Sequence, residues 1–437
     1  MFILFFSPIE FGSKDCQDFD YWGGGIHMGR HFLGFRRITG RIAGLIVLPL
    51  LWSASALAGS NTVDEMFYDN SSGSPVFELI DQAKSTIDIE IYEMGDVRVL
   101  TGLKNAVDRG VRVRVVEEAA PVGASCRLFS APGAKDDAAC QQLRDLVSYV
   151  NDHGGSFVPF QLSLCGTPGS RCYEHGKIVI VDGDYALLST GNFNATNLCD
   201  KTQNPKTCNR DYSVVSTNKA VISTLENVFE NDLNGTTTSP SEMEQNPYIT
   251  VSPQSLKPLV AFIATAKKTL QIQNQYLKDP TLNQAIIDAA NRGVQVFVMV
   301  ESFCGFGAPK PTEIAQVQKI YGAFDQAKIN TRIFNSSIKV AGVSGYLHAK
   351  AIIVDSDSAW VGSVNGSTTS LSDNREYGIF LDNETDVQQL AKFMYDDYMN
   401  PNAETWQESL QCKKDHGGSS VTPPDGFADD YGFAELI

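Results

Sequence analysis

Two stretches of this chain carry the same reactive side chains at the same spacing. The first reads Tyr173-Glu-His175-Gly-Lys177-Ile-Val-Ile-Val-Asp182, followed by Ser189-Thr-Gly191-Asn-Phe-Asn194 and Asn209-Arg-Asp211. The second reads Tyr346-Leu-His348-Ala-Lys350-Ala-Ile-Ile-Val-Asp355, followed by Gly362-Ser-Val-Asn365 and Asn374-Arg-Glu376. In an extended chain, residues two apart share a face, so each motif presents a His and a Lys together while the apolar run before the Asp makes a buried strand. An imidazole can attack phosphorus, and ammonium groups neutralise the oxygens on which charge grows. That is phosphodiester chemistry, and neither role needs a metal. One His-x-Lys-x4-Asp match would be weak; two matches followed by matching polar residues are specific.

The segments ahead of the motifs are duplicated as well. Ala83 to Tyr92 alternates like a half-buried strand, Val97 to Asp108 has helical spacing and ends at Arg109-Gly110, and Val111 to Val116 is a second strand. From Ala266-Lys the pattern returns: a strand through Ile272, a helix over Leu282 to Asn291, Arg292-Gly293, and the strand Val294 to Val300. Strand, helix, strand with a Gly closing the helix implies a crossover between parallel strands, hence an α/β layer in each half. The polar stretch Asn234 to Pro247 has no periodicity and marks the join, placed at residue 240. The expected organisation is a signal peptide over 28–58, domains over 59–240 and 241–412, and a mobile tail over 413–437.

With 437 residues and 43% apolar content, the chain suits two globular domains. Met28 precedes Arg30, Arg36, Arg37 and Arg41, the apolar run Ile42 to Trp52, and Ser53-Ala-Ser-Ala-Leu-Ala58, which predicts a secretory signal cleaved after Ala58 and translation starting at Met28. The protein is expected in the periplasm or outside the cell. Residues 1–58 hold five basic and four acidic side chains, so of the net charge of −16 the remainder carries −17. Such acidity disfavours a polyanion, and no stable nucleic-acid partner is expected. Without Cys16, eight cysteines remain, an even number that fits disulfides in an exported chain. Cys126–Cys140, Cys165–Cys172 and Cys199–Cys208 would close short loops, leaving Cys304 with Cys412. No cysteine pair has zinc spacing, and no cofactor or metal is expected.

The double motif resembles that of the phospholipase D superfamily, a likeness that runs over most of residues 62–400. The resemblance implies two tandem α/β domains, mixed sheets flanked by helices, paired as a pseudo-dimer about one active site at their interface. It implies a phosphohistidine intermediate, with His175 as nucleophile and His348 as general acid, or the reverse. Lys177, Lys350, Asn194 and Asn365 would hold the phosphate oxygens, and Asp211 and Glu376 would each hold the opposing or partner imidazole in its tautomer. Asp182 and Asp355, at the far end of their strands, are expected to bond backbone and turn groups. The spacing differs between halves: 16 residues separate Asn194 from Asp211, but ten separate Asn365 from Glu376, and the surplus carries Cys199 and Cys208.

The expected activity is hydrolysis of phospholipid head groups to phosphatidic acid, with transfer to alcohols, by a monomer acting on phospholipid at a membrane surface. The alternatives are a nuclease and a cardiolipin synthase-like phosphatidyltransferase. Loops at Cys165 to Cys172 and Glu301 to Pro309 are candidates for specificity, with Phe303 and Phe306 either touching acyl chains or being ordinary surface aromatics.

Overall fold

The computed structural model describes residues 62–68, 75–122, 126, 128–129, 138–305 and 307–412. The expected start at Met28, the signal over 28–58, Phe306 and the tail over 413–437 lie outside them.

The first half contributes β1 (Glu65–Phe67), β2 (Thr86–Ile91), β3 (Arg112–Glu117), β4 (Ser156–Pro159), β5 (Lys177–Val181), β6 (Tyr185–Ser189), β7 (Thr207–Arg210) and β8 (Ser213–Ser216). The second contributes β9 (Ile249–Val251), β10 (Thr269–Asn274), β11 (Gln295–Glu301), β12 (Asn330–Phe334), β13 (Lys339–Val340), β14 (Val343–Leu347), β15 (Ala351–Val354), β16 (Ser358–Gly362) and β17 (Tyr377–Leu381). One seven-stranded sheet runs β1-β8-β6-β5-β2-β3-β4 and the other β12-β11-β10-β15-β16-β17-β9. In each, the repeated unit forms a parallel pair, β2 with β3 and β10 with β11, while the motif strand, β5 or β15, lies antiparallel beside it. The sheets are therefore mixed, as the α/β reading requires.

The crossover helices Val97–Asp108 and Pro280–Asn291 start on Asp96 and Asp279, whose carboxylates accept from backbone N–H groups of the first turn. They stop at Gly110 and Gly293, which take φ of 88° and 92°, the left-handed turn that lets the chain re-enter the sheet. Apolar helix faces cover the outer side of each sheet: Val99, Leu100 and Leu103 over Ile87 and Ile89 in one half, Leu282 and Ile286 over Ile272 and Val298 in the other. A third core joins the halves, with Ile178, Leu188 and Val214 packed in one cluster with Ile353, Val361 and Ile379.

The halves also share backbone. β7 pairs in parallel with β14 across the join, and β13 completes a three-stranded sheet. At the related place Glu174 and Arg375 form a single bridge. Residues 234–247 are less irregular than their composition suggests, because Ser239 and Glu242 form a capping box that starts a short helix, Pro240–Glu244.

Candidate active site

Asp182 and Asp355 sit at the ends of β5 and β15 with φ of 55° and 53°. Asp182 accepts from the N–H groups of Lys84, Ser85 and Thr86 at 2.8–2.9 Å, and Asp355 from those of Lys267, Lys268 and Thr269 at 2.6–3.1 Å. Each carboxylate ties the end of the motif strand to the start of the strand beside it, which sets the register that places His and Lys at the other end. Their role is architectural, at a distance of one strand length from the motif's reactive end.

At that end the halves exchange partners. His175 Nδ1 lies 2.9 Å from Glu376 Oε2, and His348 Nδ1 lies 2.9 Å from Asp211 Oδ1. Each imidazole is thus held by a carboxylate from the opposite half. The backbone repeats the exchange, His175 N–H donating to Arg375 O at 2.8 Å and His348 N–H to Arg210 O at 3.1 Å. With its proton on Nδ1 and directed to the carboxylate, each ring keeps the Nε2 lone pair for chemistry. Lys350 Nζ is 3.1 Å from His348 Nε2 and donates to His348 O, as Lys177 Nζ donates to His175 O. The Tyr92 ring supports both groups of the first motif, 4.9 Å from the His175 ring and 5.4 Å from Lys177 Nζ.

Water is largely excluded. His175 and His348 are 8% and 6% exposed, and both lysines are fully buried. Burial pushes Lys177 down to about 8 and Lys350 to about 7, against the pull of nearby carboxylates. Burial and the neighbouring ammonium groups hold His175 well below the usual imidazole range and His348 down to about 4, so both rings rest neutral. The carboxylates differ. Burial raises Glu376 to about 7, whereas at Asp211 the opposing pull of His348 and Lys350 wins and the group lies below the usual range. The site therefore has a more strongly anionic partner at His348 than at His175.

The asparagines require a correction. Thr190 and Ser363 are equivalent: their N–H groups donate to Tyr212 O and Tyr377 O at 2.9 and 2.8 Å, and their hydroxyls accept from Tyr212 N and Tyr377 N. Phe193 and Gly366 are equivalent too, their carbonyls accepting from Gly95 and Asp96, and from Lys278 and Asp279. Between these markers the counterpart of Asn365 is Asn192, and both are 2% exposed with a buried Oδ1 that has no protein partner. Asn194 corresponds to Ser367 instead. Its Oδ1 caps a turn by accepting from Asn197 N at 3.0 Å, and its Nδ2 donates to Glu93 at 2.7 Å. The run Ser189-Thr-Gly191-Asn-Phe-Asn194 offers two asparagines; counting ten residues from each motif Asp, as Asn365 stands from Asp355, selects Asn192.

Sequence reasoning also passed over the groups that hold the carboxylates. Asn374 Nδ2 donates to Glu376 Oε1 at 3.0 Å, and Asn197 Nδ2 to Asp211 Oδ2 at 2.8 Å, with Thr190 Oγ1 adding 2.7 Å to Asp211 Oδ1. Asn197 opens the surplus segment, so that segment reaches the site itself before its Cys199–Cys208 bridge. The other three disulfides are Cys126–Cys140, Cys165–Cys172 and Cys304–Cys412, as the spacing suggested. The Cys165 to Cys172 loop docks on the opposite half, Gly166 N–H donating to Asp373 O at 2.9 Å. Phe303 is partly buried, its ring 5.3 Å from that of Tyr321.

Among the described residues one cluster could hold a metal: oxygens of Glu90, Glu174 and Asp232, all buried, lie within 4.8 Å of one another. Asp232 is already engaged by Arg375 at 2.5 and 3.0 Å.

The fold and the two exchanged His–carboxylate pairs define a duplicated phosphodiester-type site. The family described as "Cardiolipin synthase, PLD-like domain" matches residues 76–233 and 259–398. The chain belongs to the phospholipase D superfamily and is an enzyme of that superfamily by its matched domains. It is similar to cardiolipin synthase A of Proteus mirabilis, 31% identical over 140 residues, 32% of this chain and 26% of that protein. The cardiolipin synthase of Listeria welshimeri is 29% identical over 141 residues, 32% of this chain and 27% of that one. The matches thus span about a quarter of these relatives' lengths. The fold is shared with the phosphatidylserine synthase of Haemophilus influenzae at a TM-score of 0.54 and 16% identity, covering 79% of this chain and 88% of that chain.

Proposed function

We propose that this enzyme transfers a phosphatidyl group from one alcohol to another through a phosphohistidine, with hydrolysis as the minor outcome. The sequence alone put hydrolysis first. Two things favour transfer: the relatives are named cardiolipin synthases and the structural neighbour a phosphatidylserine synthase, and the reactive groups are almost completely buried. The burial carries the reading, since a phosphohistidine formed where water is scarce survives until an alcohol bound in the site reaches it.

His175, neutral and beside the less anionic Glu376, attacks phosphorus through Nε2; the bond to the leaving alkoxide breaks as His348 gives it a proton. The negative phosphate favours protonation of His348, and ionised Asp211 stabilises the imidazolium. His348 then takes the proton from the incoming alcohol as its oxygen displaces His175. Lys177, Lys350, Asn192 and Asn365 stabilise the equatorial oxygens. The substrate is phospholipid at a membrane surface, the protein acts as a monomer, and the four disulfides support an exported site of action.

The test is to incubate the purified protein with phosphatidylglycerol vesicles, with and without ethanol, and identify the lipids by mass spectrometry. Cardiolipin or phosphatidylethanol exceeding phosphatidic acid, and lost in His175→Ala, supports transfer. Phosphatidic acid alone would return the reading to hydrolysis, and cleavage of DNA with inert lipid would make it a nuclease.

A further inference from the structure

The duplication supplies an internal control for a buried network beside His175. Beside the second motif, Tyr212 OH from the first half donates to Gln273 Oε1 at 2.6 Å, Gln273 Nε2 donates to Asp397 at 3.2 Å, and Asp397 accepts two bonds from the Arg210 guanidinium at 2.9 Å. Beside the first motif, Tyr377 OH from the second half donates to Glu90, and Asp232 takes the Arg375 guanidinium. Glu90 stands where Gln273 stands: each pairs across the sheet with the residue after the motif Lys, Ile178 or Ala351. The amide of Gln273 has N–H groups to give; a glutamate at that place can donate only if it carries a proton.

A second difference lies next to it. The residue before the motif His is Leu347 in one half and Glu174 in the other. Glu174 Oε1 accepts from Gly176 N at 2.7 Å, and a Cβ at 176 would stand 2.5 Å from that oxygen, so the first motif has Gly where the second has Ala349. Glu90 Oε1 and Glu174 Oε2 are buried with no partner that donates to them. Three carboxyl groups thus face one guanidinium. Two fully buried, unsatisfied carboxylate oxygens near one another are strongly unfavourable unless something lies between them.

We propose that Glu90 and Glu174 share one proton, and that this proton is a positioning element for His175. Glu174 pins the backbone on both sides of the imidazole, through Gly176 N and through its own N–H, which donates to Glu118 at 2.9 Å. Loss of the proton leaves Glu90, Glu174 and Asp232 all anionic against Arg375, with Tyr377 the other group in contact and Lys177 further off. Repulsion then releases Glu174 and with it the 174–176 backbone. Burial holds both glutamates well above the usual carboxylate range. For such a group the fold binds more protons than the unfolded chain from about pH 4.5 upward, so stability falls as pH rises through that window.

Glu90→Gln tests this, because it copies the network that Gln273 already makes. A carboxylic-acid carbonyl band should be present in the infrared spectrum of the wild type at neutral pH and diminished in Glu90→Gln. Melting curves from about pH 5 to about pH 9 should show the wild type losing stability with one more proton of pH dependence than the variant. Gln273→Glu should import the same alkaline sensitivity into the second half. Turnover of bis(p-nitrophenyl) phosphate, the one readout that rests on the proposed function, should keep more of its acid-side value at alkaline pH in Glu90→Gln. Identical spectra and parallel melting profiles would overturn the proposal, as would calcium or magnesium binding to the wild type by calorimetry that Glu90→Gln abolishes, since a cation would then fill the gap.

Discussion

The two asparagines of the first half make opposite predictions for Ala variants. Asn192 stands in the frame occupied by Asn365, and its side chain has no structural bond that its loss would break at Oδ1. If its amide stabilises the equatorial oxygens, Asn192→Ala should lower kcat by about 10²–10³, or about 2.7–4 kcal/mol of barrier, with little change in melting temperature. Asn194→Ala loses the bond to Asn197 N and the contact with Glu93. That is a capping loss of about 1 kcal/mol in stability. Even if all of it reached the site, the rate would change by less than about tenfold. The assay is the initial rate of diester turnover at saturating substrate, with a melting curve for each variant. A hundredfold fall in Asn194→Ala beside a nearly normal Asn192→Ala would refute the assignment.

Replacing Lys177 or Lys350 with Met removes a buried charge while keeping much of its volume, and turnover should fall by at least about 10² in each with the fold retained by circular dichroism. On the alkaline side, the free enzyme loses the Lys350 and then the Lys177 charge as pH rises through about 7 and about 8. A plot of kcat/KM should therefore decline across that interval, while its acid limb lies below the usual imidazole value because burial and the neighbouring ammonium groups hold the nucleophile His175 well below it. The Cys304–Cys412 bridge spans 108 residues; the Ser/Ser variant should lose roughly 4–5 kcal/mol in urea unfolding by the loop-entropy account.

What could be read from the residues followed from repetition. The 26-residue spacing from Ala83-Lys to Arg109-Gly, and again from Ala266-Lys to Arg292-Gly, gave the parallel pairs and crossover helices because period and capping are local properties. His175, Lys177, His348 and Lys350 were legible for the same reason. The exchange of carboxylates came only from the family resemblance, since nothing local says that Glu376 meets His175 across 201 residues. Asn192 was missed because a neighbouring Asn fits the same pattern by eye, and Asn197 and Asn374 because an amide that orients a carboxylate has no signature beyond its place in space. Likewise Glu90 reads as an ordinary alternating strand residue until Gln273 is set beside it.

Because each ring takes its carboxylate from the other half, neither half is a smaller version of the enzyme. Expressed alone, residues 59–240 would contain His175 and Lys177 but not Glu376, and residues 241–412 would contain His348 without Asp211. The covalent join therefore does more than link two similar folds. It keeps complementary, unequal copies at a fixed ratio of one to one, so that the two can diverge without like copies assembling together.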